Sequence, residues 1–230
     1  MAKGITRERI VEAALDVLDE GGIEAVTLRA VAARLDVRAP ALYWHVPGKQ
    51  QLLDEMGTEI QRRVQRSLAA LDPDTTWVDG LRAYAGILRR EYLAHRDGAR
   101  TFSGTRLTDP EVLRAQEPWL ERWSSEGLPV AEAMDAAEIV TSYVVGFVIE
   151  EQERAQSEAA DPERYSLAVR DAALGGDAPL VASVAHDRGE AGSRFARQLE
   201  IVLDGLAASS RRNPPPPSPP PSPPPSPGGA

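Results

Sequence analysis

One short segment brings together side chains that could read and grip nucleic acid. Arg38 and Lys49 enclose three adjacent ring-bearing residues, Tyr43, Trp44 and His45, in a chain with only 5% aromatic residues. A guanidinium can read guanine bidentately, an ammonium can pair with phosphate, and an exposed ring can contact a thymine methyl group. Successive helical residues point in different directions, so three rings in a row cannot all be buried. The segment therefore predicts contact with a partner such as DNA.

The charge of the chain is unevenly distributed. The net charge of −9 argues against nucleic acid as a partner, but residues 25–50 carry four basic side chains against one acidic side chain. A local basic patch matters more for phosphate binding than the total charge does. The charge balance therefore leaves DNA binding open for the N-terminal region.

Composition limits the other classes of function. The chain has 42% hydrophobic and 27% charged residues, which is a globular composition, and it has no cysteine for a disulfide or a cysteine-based site. The three histidines are scattered, and G-x-S-x-G, phosphate-loop and H-E-x-x-H motifs are absent, so we predict no enzyme activity, no metal and no cofactor. The longest apolar run is too short to cross a bilayer and the N-terminus has no apolar signal segment, so we expect no membrane contact and a cytoplasmic location.

Apolar residues repeat at helical spacing over most of the chain. The pattern predicts helices from about Thr6 to Glu20, after Thr27, from Pro40 to about Val46, and from Lys49 to Leu71. Further helices are predicted over residues 77–94, 108–126, 129–156, 162–173 and 190–208. No segment shows the period-two alternation of a strand, so the chain is predicted to be all-α.

Two of these helices have the outline of a helix-turn-helix. Residues 27–46 predict a short helix, a turn of about four residues and a second short helix, which in such motifs lies in the major groove. The apolar positions that could lock the two helices together are Leu28, Val31, Leu35, Val37 and Leu42. The outward positions that are free to meet DNA are Arg38, Ala39, Ala41, Trp44 and His45. Tyr43 and Lys49 flank them and suit phosphate contacts.

The last segment differs from the rest. Residues 209–230 hold 11 of the 19 prolines of the chain. Such a segment is predicted to be an extended, disordered polyproline tail. It could serve as a docking peptide, although a solubilising or accidental tail is the interpretation that we favour.

The helix-turn-helix segment resembles a known family. TLRAVAARLDVRAPALYWHVPGKQQLLDEM is similar to the DNA-binding module of the tetracycline-repressor (TetR) family of bacterial transcription regulators, and the Trp after the Tyr is similar to the tetracycline-repressor branch. RDGARTFSGTR, at 96–106, and VVGFVIEEQER, at 144–154, resemble ligand-domain segments of that branch. The resemblance covers most of residues 5–208. It implies an N-terminal three-helix helix-turn-helix domain and a larger helical ligand-binding and dimerisation domain.

The resemblance implies DNA contacts for ten residues. They are Thr27, Arg29, Arg38, Ala39, Pro40, Ala41, Tyr43, Trp44, His45 and Lys49. The two alanines cannot hydrogen-bond bases where the tetracycline repressor uses polar side chains, so a different operator is expected. Packing against the first helix is an alternative role for Tyr43 or Trp44, and a local helix cap is an alternative role for His45.

Aromatic and polar residues further along predict a ligand pocket. Apolar walls with few polar groups are typical of small-molecule sites, although many of these residues could equally be ordinary core. The candidates are Gln65, Tyr84, Leu88, Tyr92, Phe102, Thr105, Trp119, Trp123, Ser142, Tyr143, Phe147 and Glu150. Glu150 lies in an apolar helix, where a buried carboxylate would need a partner.

The resemblance also shows where this chain departs from the tetracycline repressor. That repressor binds its drug as a magnesium chelate through histidines at the positions of Phe102 and Ser142. Its drug-binding histidine and asparagine correspond to Gln65 and Tyr84 here. We therefore predict an apolar or aromatic effector without magnesium.

Dimerisation is expected because two symmetric modules are needed to read a palindromic operator. The predicted interface comprises Val140, Val144, Gly146, Val148, Phe195, Leu199, Val202 and Leu206, with Val145 and Leu203 beside them. The predicted division of the chain is a DNA-binding domain over 1–48, a connecting helix over 49–71, a ligand-binding and dimerisation domain over 72–208, and the tail.

These expectations combine into one function. The protein is predicted to be a homodimeric repressor that binds a palindromic operator in double-stranded DNA and releases it when a small apolar or aromatic effector binds. An activator, or a ligand-sensing dimer that does not bind an operator, is the alternative.

Overall fold

The structure, a computed structural model, describes residues 5–212, and that range is helical with no strand. None of its helices is long and apolar enough to cross a membrane. The helices are α1 (Arg7–Gly21), α2 (Leu28–Arg34), α3 (Pro40–Tyr43), α4 (Lys49–Leu68), α5 (Trp77–Leu93), α6 (Gly98–Phe102), α7 (Pro110–Arg114), α8 (Glu117–Ser125), α9 (Val130–Ala160), α10 (Leu167–Leu174), α11 (Pro179–His186) and α12 (Ala191–Arg212), with a 3₁₀ turn at Gly175–Asp177.

Local signals set the ends of the first three helices. The Thr6 side chain accepts a hydrogen bond from the backbone N–H of Arg9 at 3.4 Å, and α1 ends at Gly21, before Gly22, whose φ of 74° favours glycine. Thr27 caps α2 in the same way, and Pro40 begins α3. The predicted starts and types of these helices are confirmed.

The three N-terminal helices share one small apolar core. Ile10 and Leu18 of α1, Val31 of α2 and Leu42 of α3 are all fully buried. Val46, just after α3, is also buried and donates its N–H to the Leu42 carbonyl at 2.8 Å. Leu42 and Val46, four residues apart, are therefore held inside while Tyr43 and Trp44 face out.

The remaining helices form a larger bundle around α5 and α9. Helix α4 packs against both α1 and α5, so it belongs to the N-terminal core at one end and to the bundle at the other. Helix α12 packs on α9 and α5, and α8 closes the bundle against α9. The predicted all-α fold, with a helix-turn-helix and a larger helical unit, is confirmed.

Several element boundaries differ from the prediction. The predicted helix 108–126 is two helices, α7 and α8, separated by a break at Ala115–Gln116. The segment 96–106 contains the short helix α6, and α11 follows the predicted helix 162–173 as an additional element. Each is only five to nine residues long. Such lengths give too few turns for periodicity to register.

Helix α12 extends to Arg212, four residues beyond the predicted end at 208. The first residues assigned to the disordered tail, 209–212, are therefore helical. Ala207 and Ala208 are strong helix formers and favour continuation of the helix past residue 208. The proline-rich remainder of the predicted tail lies outside the described residues.

Candidate nucleic-acid interface and ligand chamber

The short helix α3 presents its rings to solvent. The Trp44 side chain is 91% exposed and Tyr43 is 51% exposed, whereas the neighbouring Leu42 is fully buried. Arg38 and Pro40 are exposed, and Ala39, Ala41 and His45 are half-buried. Seven of the predicted DNA-binding residues therefore lie together around one short helix.

The other three predicted DNA-binding residues lie at the N-terminal ends of α2 and α4. The Thr27 hydroxyl accepts a hydrogen bond from the Ala30 N–H at 3.1 Å, which caps α2, and Thr27 is exposed. Arg29 is exposed on the first turn of α2. Lys49 is exposed at the start of α4, and its Nζ donates to the Ile23 carbonyl at 3.3 Å. An anion near these helix N-termini would meet free backbone N–H groups as well as these cations.

Arg34 contributes less to the basic patch than its sequence position suggests. Its guanidinium pairs with the carboxylates of Asp16 at 2.9 Å and Glu20 at 2.6 Å, both on α1. The cations left to attract phosphate near α3 are therefore Arg29, Arg38 and Lys49.

The larger unit has a chamber of about 580 Å³, partly open to solvent, between α4, α5, α8 and α9. Four of the predicted ligand residues line it, namely Gln65, Tyr84, Trp119 and Trp123. Periodicity missed other lining residues, because the walls are formed by tertiary packing and by the α4–α5 turn. These include Gln61, Leu68, Leu71, Asp72, Gln116, Arg122, Met134, Ala137, Glu138 and Thr141.

A tryptophan pair forms one wall of the chamber. The ring centroids of Trp119 and Trp123 lie 4.5 Å apart at an interplanar angle of 49°. The Trp119 Nε1–H donates to the Oε1 atom of Gln65 at 3.3 Å, so the Gln65 amide nitrogen remains available as a donor. The wall thus offers flat aromatic surface beside an oriented amide, which suits an aromatic ring that carries an oxygen acceptor.

A hydroxyl pair lies on the α5 and α9 side of the chamber. The Tyr84 hydroxyl and Thr141 Oγ1 are 2.8 Å apart, and Thr141 donates to the Ala137 carbonyl at 2.8 Å. Tyr84 therefore donates to Thr141 and keeps an acceptor lone pair. Burial raises the pKa of the Tyr84 phenol above its usual value, although the bond to Thr141 acts in the opposite direction. The phenol stays protonated at neutral pH.

The predicted ligand role is not supported for residues that lie outside the chamber. They are Leu88, Tyr92, Phe102, Thr105, Ser142, Tyr143, Phe147 and Glu150. Leu88, Tyr92 and Phe102 are buried in the core, where the Tyr92 and Phe102 ring centroids are 6.0 Å apart. Tyr143 and Phe147 pack on Phe195 of α12 instead.

The long helix α9 explains the remaining errors. Residues at 134, 137, 138 and 141 share the face that lines the chamber, so other positions turn away from it. Ser142 and Glu150 are exposed, and the prediction that Glu150 is a buried carboxylate is wrong. Thr105 donates its hydroxyl to the Phe102 carbonyl at 2.8 Å and packs against α4.

The residues present do not fit a magnesium chelate. Phe102 has its ring in the core against Tyr92 and His95, and Ser142 and Glu150 face solvent, so these positions do not converge on the chamber. In the described part of the chain, no group of three or more histidine, aspartate or glutamate side chains is placed to hold a metal ion.

Most of the predicted dimer residues are buried within a single chain. Val140, Val144 and Val148 are fully buried, and Phe195 and Leu199 are 6% and 3% exposed, because this face of α9 and α12 packs into the bundle. These five assignments are therefore corrected. Val202 and Leu206 are half-buried, and Gly146 is exposed with no atom within 4 Å of a Cβ built there.

Exposed apolar residues lie on the outward faces of the same two helices. Ile139 of α9 is 47% exposed and Ile201 of α12 is 68% exposed. Ile139 and Gly146 therefore add non-polar surface to an outward face of α9 that also carries the exposed polar residues Ser142 and Glu150. The outward face, with Gly146, is the surface that remains available for a second chain.

The segment 105–109 links α4 to the chamber wall. The Asp54 carboxylate accepts from the Arg106 N–H at 3.1 Å, the Thr58 hydroxyl accepts from the Thr108 N–H at 2.9 Å, and Arg62 pairs with Asp109 at 2.9 Å. Residues 105–109 therefore run along α4 and lead directly into α7 and α8.

An exposed recognition helix, a chamber and one helix that joins them define a helical, ligand-responsive DNA-binding regulator. The family pattern described as bacterial regulatory proteins, tetR family, matches residues 10–56, and the pattern of the tetracyclin repressor-like C-terminal domain matches residues 69–210. The chain belongs to the TetR family.

Similar proteins cover nearly the whole chain. The class A tetracycline repressor from transposon 1721 of Escherichia coli is 33% identical over 200 residues, which are 86% of this chain and 88% of that repressor. A possible TetR family regulator from Streptomyces coelicolor A3(2) has a TM-score of 0.73 at 32% identity, covering 89% of this chain and all of that one. ActR of Streptomyces coelicolor, in complex with actinorhodin, has a TM-score of 0.75 at 26% identity, covering 90% and 99% of the two chains. This protein is a ligand-responsive, DNA-binding transcriptional repressor that acts as a homodimer.

Proposed function

We propose that this protein releases a palindromic operator when a small apolar or aromatic effector occupies the chamber. One observation carries the proposal: α4 begins with Lys49 beside the recognition helix and carries Gln65 and Leu68 in the chamber wall. Its 20 residues span about 30 Å, so one rigid element connects the two sites.

The chamber supports an aromatic effector. The Trp119–Trp123 wall supplies flat apolar surface, while Gln65, Tyr84 and Thr141 supply a few oriented polar groups. The similar ActR is in complex with actinorhodin, and the similar class A protein is named a tetracycline repressor. We propose a related kind of ligand here, bound without magnesium because Phe102 and Ser142 supply no imidazole to the chamber.

The exposed residues around α3 are proposed to form the DNA-contacting surface. Arg38 would read guanine, and Trp44 would contact a thymine methyl group or the sugar-phosphate backbone. Lys49 and Arg29 would pair with phosphates. Ala39 and Ala41 offer no hydrogen bonds to bases, so the preferred operator differs from the tetracycline operator.

Operator release follows from a shift between two states. In the DNA-binding state, the recognition helices of the two chains lie about one DNA turn apart. An effector that binds better to a state with displaced α4 favours that state, and its leverage equals its difference in affinity for the two states. Residues 105–109 are the proposed relay, because they are bonded to α4 and continue into the chamber wall.

The proposal assigns roles to the parts of the chain. Residues 1–48 bind DNA, 49–71 connect, and the following helices bind effector and pair the two chains through the outward faces of α9 and α12. No step of this proposal is catalytic. The protein is proposed to act as a regulator in the cytoplasm, where its operator lies. Regulation requires only that the affinity of the chamber for the effector and the affinity of the DNA surface for the operator differ between the two states.

A chamber-filling variant tests the proposal. Ala137→Phe adds bulk inside the chamber, and Ala168→Phe adds the same bulk at an exposed position on α10 outside it. When operator DNA is bound, we expect aromatic ligands to release it from the wild type and from Ala168→Phe but not from Ala137→Phe. Equal release of all three proteins would contradict an effector site in this chamber.

A further inference from the structure

The charges around the chamber are not balanced. Asp72, on the α4–α5 turn, and Glu138, on α9, are exposed carboxylates in the chamber lining. Arg122 is the cation in that lining, and its Nε already donates to Glu126 at 3.3 Å. An effector therefore meets an excess of negative charge at the chamber rim.

Glu138 is available to a ligand in a way that Asp72 is not. The Asp72 carboxylate accepts from the Asp74 N–H at 2.8 Å and so helps to shape its own turn. Within residues 5–212, no hydrogen bond or ion pair engages the Glu138 carboxylate. Glu138 lies next to Ala137 and three positions before Thr141 on the chamber-lining face of α9.

We infer that the chamber selects aromatic effectors that carry a positively charged amine, and that Glu138 is the residue that recognises the amine. The inference rests on the proposed function and specifies its ligand. The rings pack on Trp119 and Trp123 while the ammonium pairs with the Glu138 carboxylate. An anionic ligand would face repulsion from Glu138, and the charge of Arg122 is already partly balanced by Glu126.

Three flat ligands of the same ring size test the inference. 9-Aminoacridine is a cation at neutral pH, 9-anthracenemethanol is neutral and 9-anthracenecarboxylate is an anion. Isothermal titration of the full chain, without DNA and at low salt, should give the tightest binding for the cation and the weakest for the anion. The cation's advantage should shrink as salt is added.

Two carboxylate variants isolate the residue. Glu138→Gln should weaken binding of 9-aminoacridine about threefold to fivefold, the range of a solvent-screened ion pair, and should leave 9-anthracenemethanol unchanged. Glu121→Gln is the matched control, because Glu121 is exposed on α8 outside the chamber lining. It changes the net charge equally and should have no effect on either ligand.

The outcomes separate this inference from the proposed function. If the neutral ligand binds as tightly as the cation, or if the two variants behave alike, charge selection by Glu138 is overturned while an aromatic effector site stands. If none of the three ligands binds, this inference and the aromatic chamber of the proposed function are both overturned.

Discussion

The Asp97 carboxylate accepts a hydrogen bond from the backbone N–H of Ile23 at 3.1 Å, although the two residues are 74 positions apart. Its other oxygen accepts from Gln156 Nε2, on α9, at 2.8 Å. Asp97 thus joins the turn after α1 to the C-terminal part of α9 in the ligand domain. Any movement of the DNA-binding helices relative to α9 must strain or break one of these bonds.

Asp97→Asn should destabilise the fold, because an amide has one acceptor oxygen and would direct an N–H₂ group at one of the two donors. We expect a loss of about 1–3 kcal/mol, the cost of leaving a partly buried polar group unsatisfied. Urea unfolding measures it. Asp177→Asn, at an exposed position in the 3₁₀ turn, is the control. Equal unfolding midpoints for the two variants would refute a structural role for Asp97.

The pH dependence of that loss has a defined sign. Burial acts to raise the pKa of Asp97, but hydrogen bonds from Gln156 and Ile23, with nearby Arg96 and Arg100, hold the pKa below its usual 3.8. A carboxylate with a lowered folded pKa stabilises the protein above its unfolded value and loses that contribution as pH falls through the folded value. The stability difference between wild type and Asp97→Asn should therefore narrow below about pH 4.

Trp44→Ala should weaken operator binding without changing stability. The Trp44 side chain is 91% exposed, so its removal costs the fold less than about 0.5 kcal/mol. Loss of its contact with DNA should reduce operator affinity about tenfold, in the lower part of the range for specific contacts. Fluorescence anisotropy with labelled operator measures it. Leu113→Ala, exposed on α7, should bind as the wild type does. Unchanged affinity of Trp44→Ala would remove Trp44 from the DNA surface.

Gly57→Ala tests the relay along α4. A Cβ at Gly57 would collide with the Thr105 hydroxyl, because residues 105–109 run directly over this turn of the helix. We expect a destabilisation of about 1–3 kcal/mol, typical of overpacking, together with an altered operator response to effector. The double variant Gly57→Ala/Thr105→Gly opens the space again and should recover part of the stability. Additive losses in the double variant would contradict direct contact.

Ile201→Glu should separate the dimer without unfolding the chain. Ile201 is 68% exposed on the outward face of α12, so a charge there is tolerated in one chain but would be costly in a packed interface. Sedimentation at micromolar concentration should give a monomer for Ile201→Glu and a dimer for Leu113→Glu, whose site is exposed on α7. A dimeric Ile201→Glu would place the interface elsewhere.

Much of the N-terminal unit could be predicted from sequence because its signals are local. Thr6, Thr27 and Pro40 mark helix starts, and the apolar Leu42 indicates the buried side of α3. The inward and outward faces of α9 could not be assigned in this way. Val140, Val144 and Val148 face the core while Ile139 and Gly146 face out. Because apolar and small residues occur on both sides of α9, periodicity cannot tell an internal face from one that meets a second chain.

The chamber was only partly predictable for a related reason. The Trp119 and Trp123 spacing identified one wall, because residues four apart share a helical face. The opposite walls come from the α4–α5 turn and from α9, whose approach is fixed by tertiary packing. Aromatic residues such as Tyr92 and Phe102 are of the type that lines pockets, but they lie in the core. Residue type alone does not separate these two environments.

Footprinting of the intergenic DNA upstream of the gene, with and without an aromatic ligand that occupies the chamber, tests the central claim most directly. The account predicts a protected palindrome whose half-sites are about one helical turn apart, and loss of protection at ligand concentrations that fill the chamber. A footprint without two-fold symmetry, or one that persists when the chamber is occupied, would contradict it.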